Sequence, residues 1–174
     1  MDEIGKKLEN IFPLVIGLVI TKIGEKVNIC PINWQVVSTK YETPITVCIG
    51  LSHTSYSLDN IKATNQFTLA YPSKEQLEDT IYCGTVSGRS IDKLKSTSFK
   101  FNPSKHINPP HIRSAVINFE CEVIQIVTLE TFCIIIANVL AVETSSKRAL
   151  DKIYALGRTN YGSIKEVSVD KVGR

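Results

Sequence analysis

Aromatic residues are scarce in this 174-residue chain, at 7% of the total with a single tryptophan, Trp34. Charge of either sign is not in excess. The net charge of +3 is spread along the chain, without the clustered basic stripe that a nucleic-acid surface requires. Long apolar runs are missing too. Ile11–Ile20 is ten residues long and is interrupted by Pro13, far short of the roughly 20 residues of a bilayer-spanning helix. Glu9 interrupts its approach and no small-residue cleavage site follows, so no targeting signal or membrane partner is expected, and a cytoplasmic location is. The five cysteines contain no C-x-x-C pair, and an odd number does not suit a disulfide framework. Cys30, Cys48, Cys121 and Cys133 read as buried thiols in apolar strand-like runs. Cys83 alone lies in a loop beside cations, the setting that can lower a thiol pKa, but with no base partner nearby a catalytic thiol is not expected. His106 and His111 have no third ligand in sequence reach, so no metal site is expected.

What remains is ordinary globular material, 43% hydrophobic and 21% charged. One domain over 1–174 is expected, with a core over about 10–162, an N-terminal arm over 1–10 and a tail over 163–174. Leu14–Thr21 is apolar at nearly every position and reads as a strand covered on both faces. Gly24 turns it into a second strand, Val27–Pro31, which makes an antiparallel hairpin. A third strand, Ile45–Leu51, runs through the turn Ser52–Ser57 into a short helix carrying Leu58 and Ile61 on one face. Phe67–Ala70 is a fourth strand. Ser73-x-x-Gln76 is a capping box that opens a helix over 74–82, with Leu77 and Ile81 as its buried stripe and Gly84 as its stop. Three prolines make Phe99–Pro110 a surface connection. Ala115–Val127 then alternates, with Ala115, Ile117, Phe119, Cys121 and Val123 inward and Asn118, Glu120 and Glu122 toward water. Beside Phe132–Val142 it forms two long adjacent strands, and a short helix with Leu150 and Ile153 follows. The sum is a mainly β fold, an antiparallel barrel with a few short peripheral helices.

Chemistry concentrates in Tyr82–Lys93. Gly84 and Gly88 permit a tight turn and close approach of a ligand. Thr85, Ser87 and Ser90 with Arg89 and Lys93 are the donor types that hold a phosphate, and Ser90 is placed to cap a turn over Ile91–Leu94. The glycine spacing is one residue short of G-x-x-x-x-G-K-[ST], Arg89 stands where the lysine belongs, and G-x-G-x-x-G is absent, so neither a Walker nor a Rossmann loop is present. On residue types alone, an anion-holding loop and a solvated turn with ordinary surface charges both stay open. The hydroxyl-rich turn Ser52, Thr54, Ser55 and Ser57 sits at a helix start, where free N–H groups favour anions, while plain capping accounts for one of its serines. Trp34 is open between a core anchor and a ligand-facing ring.

The segment Cys83-Gly84-Thr85-Val86-Ser87-Gly88-Arg89-Ser90-Ile91-Asp92-Lys93 resembles the C-G-x-x-S-G-R-x-x-D-K signature of flavin reductase-like proteins, the FMN-binding split-barrel group that includes flavoredoxin. Three more segments are similar in the same order. Val27–Ser38 resembles V-N-x-x-x-x-S-W-x-x-V-S, with Asn33 in the serine place; Ser52–Ser57 resembles an S-x-x-S-x-S/T turn; and Ile153–Tyr161 resembles a Y-L-G-G-x-x-Y ending, with Arg158 for the second glycine. The resemblance implies an FMN-binding split β-barrel over roughly 10–162. It implies a flavin bordered by Asn28, Asn33, Trp34, Gln35, Val36, Val37, Ser38 and Tyr161. Its phosphate end would meet Ser52, Thr54, Ser55, Ser57, Cys83, Gly84, Ser87, Gly88, Arg89 and Lys93. It also implies a homodimer with the flavin near the interface, and hydride transfer to FMN from NADH or NADPH. Phe132 stands where the family often has a histidine facing the flavin, so that contribution is not expected here.

Three functions fit these observations. One is an FMN-dependent NAD(P)H:flavin oxidoreductase, which suits a chain without a triad or carboxylate dyad because the flavin carries the chemistry. The second is a flavoredoxin-type electron carrier with a protein redox partner. The third, a nucleotide-phosphate enzyme with a degenerate P-loop, is opposed by the absent lysine, the absent Walker-type acidic strand and the antiparallel hairpins.

Overall fold

The structure, a computed structural model, describes residues 3, 7–38, 44–157 and 159–164. A 3-10 turn at Leu8–Ile11 leads into β1 (Leu14–Val15) and β2 (Gly17–Ile23). Gly24, at φ +55°, turns the chain into β3 (Lys26–Ile32), a left-handed conformation that only glycine adopts without cost. β4 (Gln35–Val37), β5 (Thr46–Ser52), helix α1 (Tyr56–Thr64) and β6 (Gln66–Tyr71) follow. Helix α2 (Leu77–Thr85), the short β7 (Phe101–Asn102) and β8 (His111–Ile112), and the long β9 (Ile117–Thr128) and β10 (Phe132–Thr144) complete the body. β11 (Tyr154–Ala155) and β12 (Tyr161–Gly162) pair with β1 in a small separate sheet.

The main sheet has seven antiparallel strands in the order β3-β2-β6-β9-β10-β5-β4. Its two edge strands, β3 and β4, are consecutive in the chain, ending at Ile32 and starting at Gln35. Laid flat, seven strands would hold the edges roughly 29 Å apart, while the three residue steps between Ile32 and Gln35 reach about 11 Å at most. The sheet must therefore curl until its edges face one another. Gln35 crosses the split, donating from Nε2 to the Val15 carbonyl at 2.8 Å.

The curl encloses one core cluster, with Val19, Val47, Ile49, Leu51, Phe67, Leu69, Cys121, Cys133 and Ile135 sealed by Leu58 and Ile61 of α1. The opposite face of β2 and β6 is covered as well, since Leu18, Ile20, Ile29 and Ala70 pack with Cys83, Phe99, Ile112 and Ala115. This double burial is why Leu14–Thr21 reads as continuously apolar.

Several expectations change. Glu120 does not face water: it is fully buried. Its Oε1 accepts from the Lys105 amide at 2.9 Å and its Oε2 from the His106 amide at 2.7 Å. His111 Nε2 lies 2.9 Å from Oε1. Asn118, also buried, exchanges two hydrogen bonds with the Ile112 backbone. The 99–110 connection therefore covers the start of β9 and needs these polar groups beneath it, whereas Glu122 beyond it is exposed as the alternation predicts. The second change is in α2, which begins after the Ser73–Gln76 capping box and a 3-10 turn and runs through Gly84 to Thr85. Its buried residues are Thr80 and Cys83, while Ile81 is exposed. Asp92, not Ser90, caps the next turn, its Oδ1 accepting from the Leu94 amide at 3.2 Å. Leu150 lies in a 3-10 turn, Ala149–Asp151, that stops before Ile153. Residues 1, 2 and 4–6 of the arm, Arg158, and residues 165–174 of the tail lie outside the described residues.

Glu120→Ala removes the acceptor of two backbone N–H groups and the partner of a buried imidazole. Each buried donor left without its acceptor costs about 1–3 kcal/mol, and urea unfolding of Glu120→Ala against the wild type is expected to show a loss of that order or more. Glu120→Gln keeps one acceptor and is expected to lose less.

Candidate functional site

Three segments that are distant in sequence meet at one end of the curled sheet. β3 brings Asn28, Cys30 and Pro31; the β5–α1 turn brings Ser52, Thr54, Ser55, Tyr56 and Ser57; the end of α2 and the loop after it bring Cys83, Gly84, Val86, Ser87, Gly88 and Lys93. They line a cleft of about 220 Å³.

Each wall has a local cause. Ser55 precedes α1 in an extended conformation; its side chain makes no capping bond, while its carbonyl accepts from the Leu58 amide at 3.1 Å. Ser52 Oγ orders the turn instead, lying 3.1 Å from Thr54 Oγ1 and accepting from the Thr54 amide at 3.3 Å. Asn28 Nδ2 donates to Ser57 Oγ at 2.8 Å, which joins β3 to α1. Gly88 closes on that pair so tightly that a Cβ there would fall 1.9 Å from Asn28 Oδ1. Only glycine fits at 88.

Lys93 is the electrostatic centre. It is 5% exposed, and its Nζ donates to the Ile29 carbonyl at 2.8 Å and the Cys83 carbonyl at 2.6 Å. Among the described residues no carboxylate pairs with it. Burial pulls its pKa below the ordinary lysine range. A buried ammonium with carbonyl partners alone is a standing demand for an anion. Cys83 departs from the expected loop position: it is 1% exposed, sits in the helix, and burial pushes its thiol up to about 11 despite Lys93 nearby. It is a packed thiol and not an activated one.

The other expected residues are arranged outside this cleft. Arg89 leans away, its Nη2 2.7 Å from Asp59 Oδ2 and its guanidinium 5.4 Å from the Tyr56 ring centroid. Pro31 and Gly84 continue from the cleft into a hollow of about 210 Å³ with Thr80 and Tyr161, and Pro31 and Tyr161 into another of about 350 Å³ with Asn33. A groove thus follows the β3 edge from the hydroxyl-rich turn to Asn33 and Tyr161. Trp34 is 45% exposed, its ring edge-on to Phe132 at 5.8 Å and resting on Gly50, where a Cβ would fall 2.6 Å from the indole. Gln35 spans the split, Val36 is exposed, Val37 packs on the core, and the Ser38 amide donates to the Thr46 carbonyl at 2.8 Å.

The model of the flavin reductase like domain matches residues 9–165. The chain belongs to the flavin reductase-like domain family. A protein of Archaeoglobus fulgidus without an assigned activity is 29% identical to this family member over 81% of the chain and 78% of its own length. Among solved structures, flavoredoxin from Methanosarcina acetivorans superposes with a TM-score of 0.80 at 20% identity, covering 93% of this chain and 90% of that one. The FMN-binding protein from Thermus thermophilus gives 0.81 at 19% identity, covering 92% and 91%. At these identities the structural matches establish the shared fold. No helix of the described residues is long and apolar enough to cross a membrane, and no group of three or more His, Cys, Asp or Glu side chains gathers among them to hold a metal ion.

Sequence reasoning missed Tyr56, Asp59, Cys30 and Pro31 as neighbours of the cleft. Tyr56 had a signal, an aromatic ring inside a hydroxyl-rich turn. Asp59 had only the usual acidic preference of a first helical turn, which any helix can show.

Two measurements test the geometry. Gly50→Ala forces the indole off the sheet. Overpacking of this kind costs roughly 1–3 kcal/mol, and a shifted Trp34 emission maximum together with lower thermal stability is expected. For Lys93 the sign follows from its lowered pKa. Between its folded value and the ordinary lysine value the unfolded chain holds more protons, so stability rises with pH in that window. Relative to Lys93→Met, the wild type is therefore expected to gain stability as alkaline pH rises, read from paired urea titrations.

Proposed function

We propose that this chain binds FMN along the β3 groove and works as an NAD(P)H-dependent flavin oxidoreductase. One observation carries the reading: the buried, carboxylate-free Lys93 ammonium faces a helix start and a hydroxyl-rich turn at the end of a groove longer than one phosphate needs. The 220 Å³ cleft is below the roughly 300–1,000 Å³ of a whole-ligand site. It suits the phosphate end, and the extension past Pro31 gives room for the ring. The family membership and the flavin-binding solved neighbours agree with this ligand class.

In this reading Lys93, Ser52, Thr54, Ser55 and Ser87 with the α1 N-terminus bind the phosphate, and Cys83, Gly84 and Gly88 let the backbone come close. Asn28, tied to Ser57, orients the chain between phosphate and ring. Asn33, Trp34, Gln35, Val36, Val37 and Ser38 border the ring from the split, and Tyr161 flanks its rim. Bound FMN would supply the two-electron hydride chemistry, and the chain supplies position and a cationic pocket. Phe132 offers no proton, so its role at that place is to steady Trp34.

The active unit in this proposal is a homodimer. Trp34, Val36, Leu140 and Val142 are exposed, and an apolar hollow of about 510 Å³ opens between Pro44, Ile45 and Val139–Val142. A second copy related by a two-fold axis covers that face with its own counterpart.

Purified protein is expected to bind FMN and to lose the bound flavin's visible absorbance on addition of NADH or NADPH. Lys93→Ala is expected to weaken FMN by about ten- to a hundredfold, from the roughly 1.5–3 kcal/mol of a charge-assisted bond. Unchanged FMN affinity in Lys93→Ala would remove this assignment. Light scattering is expected to give twice 19.3 kDa; a monomer that retains FMN would overturn the dimer.

A further inference from the structure

Resting on the reading of the cleft as a phosphate site, the geometry points to Asp59 as the residue that sets how loosely the flavin phosphate is held, by competing for Arg89. Arg89 belongs to the loop that walls the cleft, yet it does not line the cleft. Its Nη2 donates to Asp59 Oδ2 at 2.7 Å, and its guanidinium lies 5.4 Å from the centre of the Tyr56 ring. Tyr56 does line the cleft, and Asp59 follows it by three residues on α1, so the two share a helix face. The guanidinium is thus parked at the rim, between a ring that belongs to the cleft and a carboxylate that does not.

The parking matters because the cation inside is already occupied. Lys93 uses two of its three N–H groups on the Ile29 and Cys83 carbonyls, which leaves one for an anion. A dianion in the cleft gains most from a second full charge, and the Arg89 guanidinium is committed elsewhere. The Arg89–Asp59 pair is about half exposed on both sides, 53% and 47%, so it is labile and weak enough for a ligand to compete with. If Arg89 swings to the phosphate, Asp59 is left behind as a nearby negative charge; if it stays, the phosphate goes without it. Both outcomes oppose binding. Asp59 is a positioning residue in this scheme, and its consequence is a flavin that exchanges instead of one held permanently.

FMN and riboflavin, which differ only in the phosphate, are titrated into wild type, Asp59→Asn, Arg89→Ala and the double variant, with flavin release followed by dilution. Asp59→Asn is expected to tighten FMN roughly two- to fivefold, the scale of an exposed ion pair, through slower release, and to leave riboflavin unchanged. In the Arg89→Ala background the gain is expected to shrink. Unchanged or weaker FMN affinity in an Asp59→Asn protein that unfolds cooperatively at the wild-type temperature overturns the proposal. So does equal tightening of riboflavin, or an undiminished gain without Arg89. Equal wild-type affinities for FMN and riboflavin would instead overturn the phosphate reading of the cleft, and this inference with it.

Discussion

The two residues between Ile32 and Gln35 constrain the whole molecule. They join strands that lie at opposite edges of a seven-stranded sheet, so the sheet has to roll up and leave a split where the edges meet. The cleft and the two hollows that continue it lie along the β3 edge beside that split. An edge strand has unpaired backbone groups on its outer side, and a protein must cover or use them. Here helix α2, the 86–93 loop and the β5–α1 turn come up against β3, and the space left between them is the cleft.

Lys93 holds that arrangement together. By bonding the Ile29 carbonyl of β3 and the Cys83 carbonyl of α2, it joins the edge strand to the helix that covers it. Hydrogen bonds to a charged donor are the strong ones, yet among the described residues no carboxylate compensates the charge of this buried side chain. The residue that assembles the walls also makes them attractive to an anion.

Much of this was legible in the residues. The hairpin around Gly24, the doubly buried β2, the Ser73–Gln76 capping box and the two long final strands follow from period, turn chemistry and capping rules, and the structure has them all. What was not legible depends on contacts made from far away. Glu120 alternates like a solvent residue, and only the return of 103–111 over β9 buries it against two amides and His111. Gly84 is a helix stop by local preference, but the packing of α2 on β3 carries the helix past it and takes Cys83 out of reach. Arg89 stands in the right motif for a phosphate and points elsewhere because Asp59, thirty residues earlier, arrives from another element. In each case the local rule describes the residue type correctly and the long-range partner decides its orientation.

The two cations of the motif show how one sequence segment divides a task. Lysine suits the inner position because its compact ammonium has three donors that can diverge, two to carbonyls on separate elements and one into the cleft; a planar guanidinium carries its donors in a fixed fork and could not reach both carbonyls and an anion from the same point. Arginine suits the rim because its charge persists across the ordinary pH range and its guanidinium rests on Tyr56 while its fork holds Asp59. A buried cation is costly to move and so defines the site, whereas a half-exposed one is free to respond to what enters it. In the scheme proposed for Asp59, placing Lys93 within and Arg89 at the edge would separate the formation of the pocket from the strength of its grip.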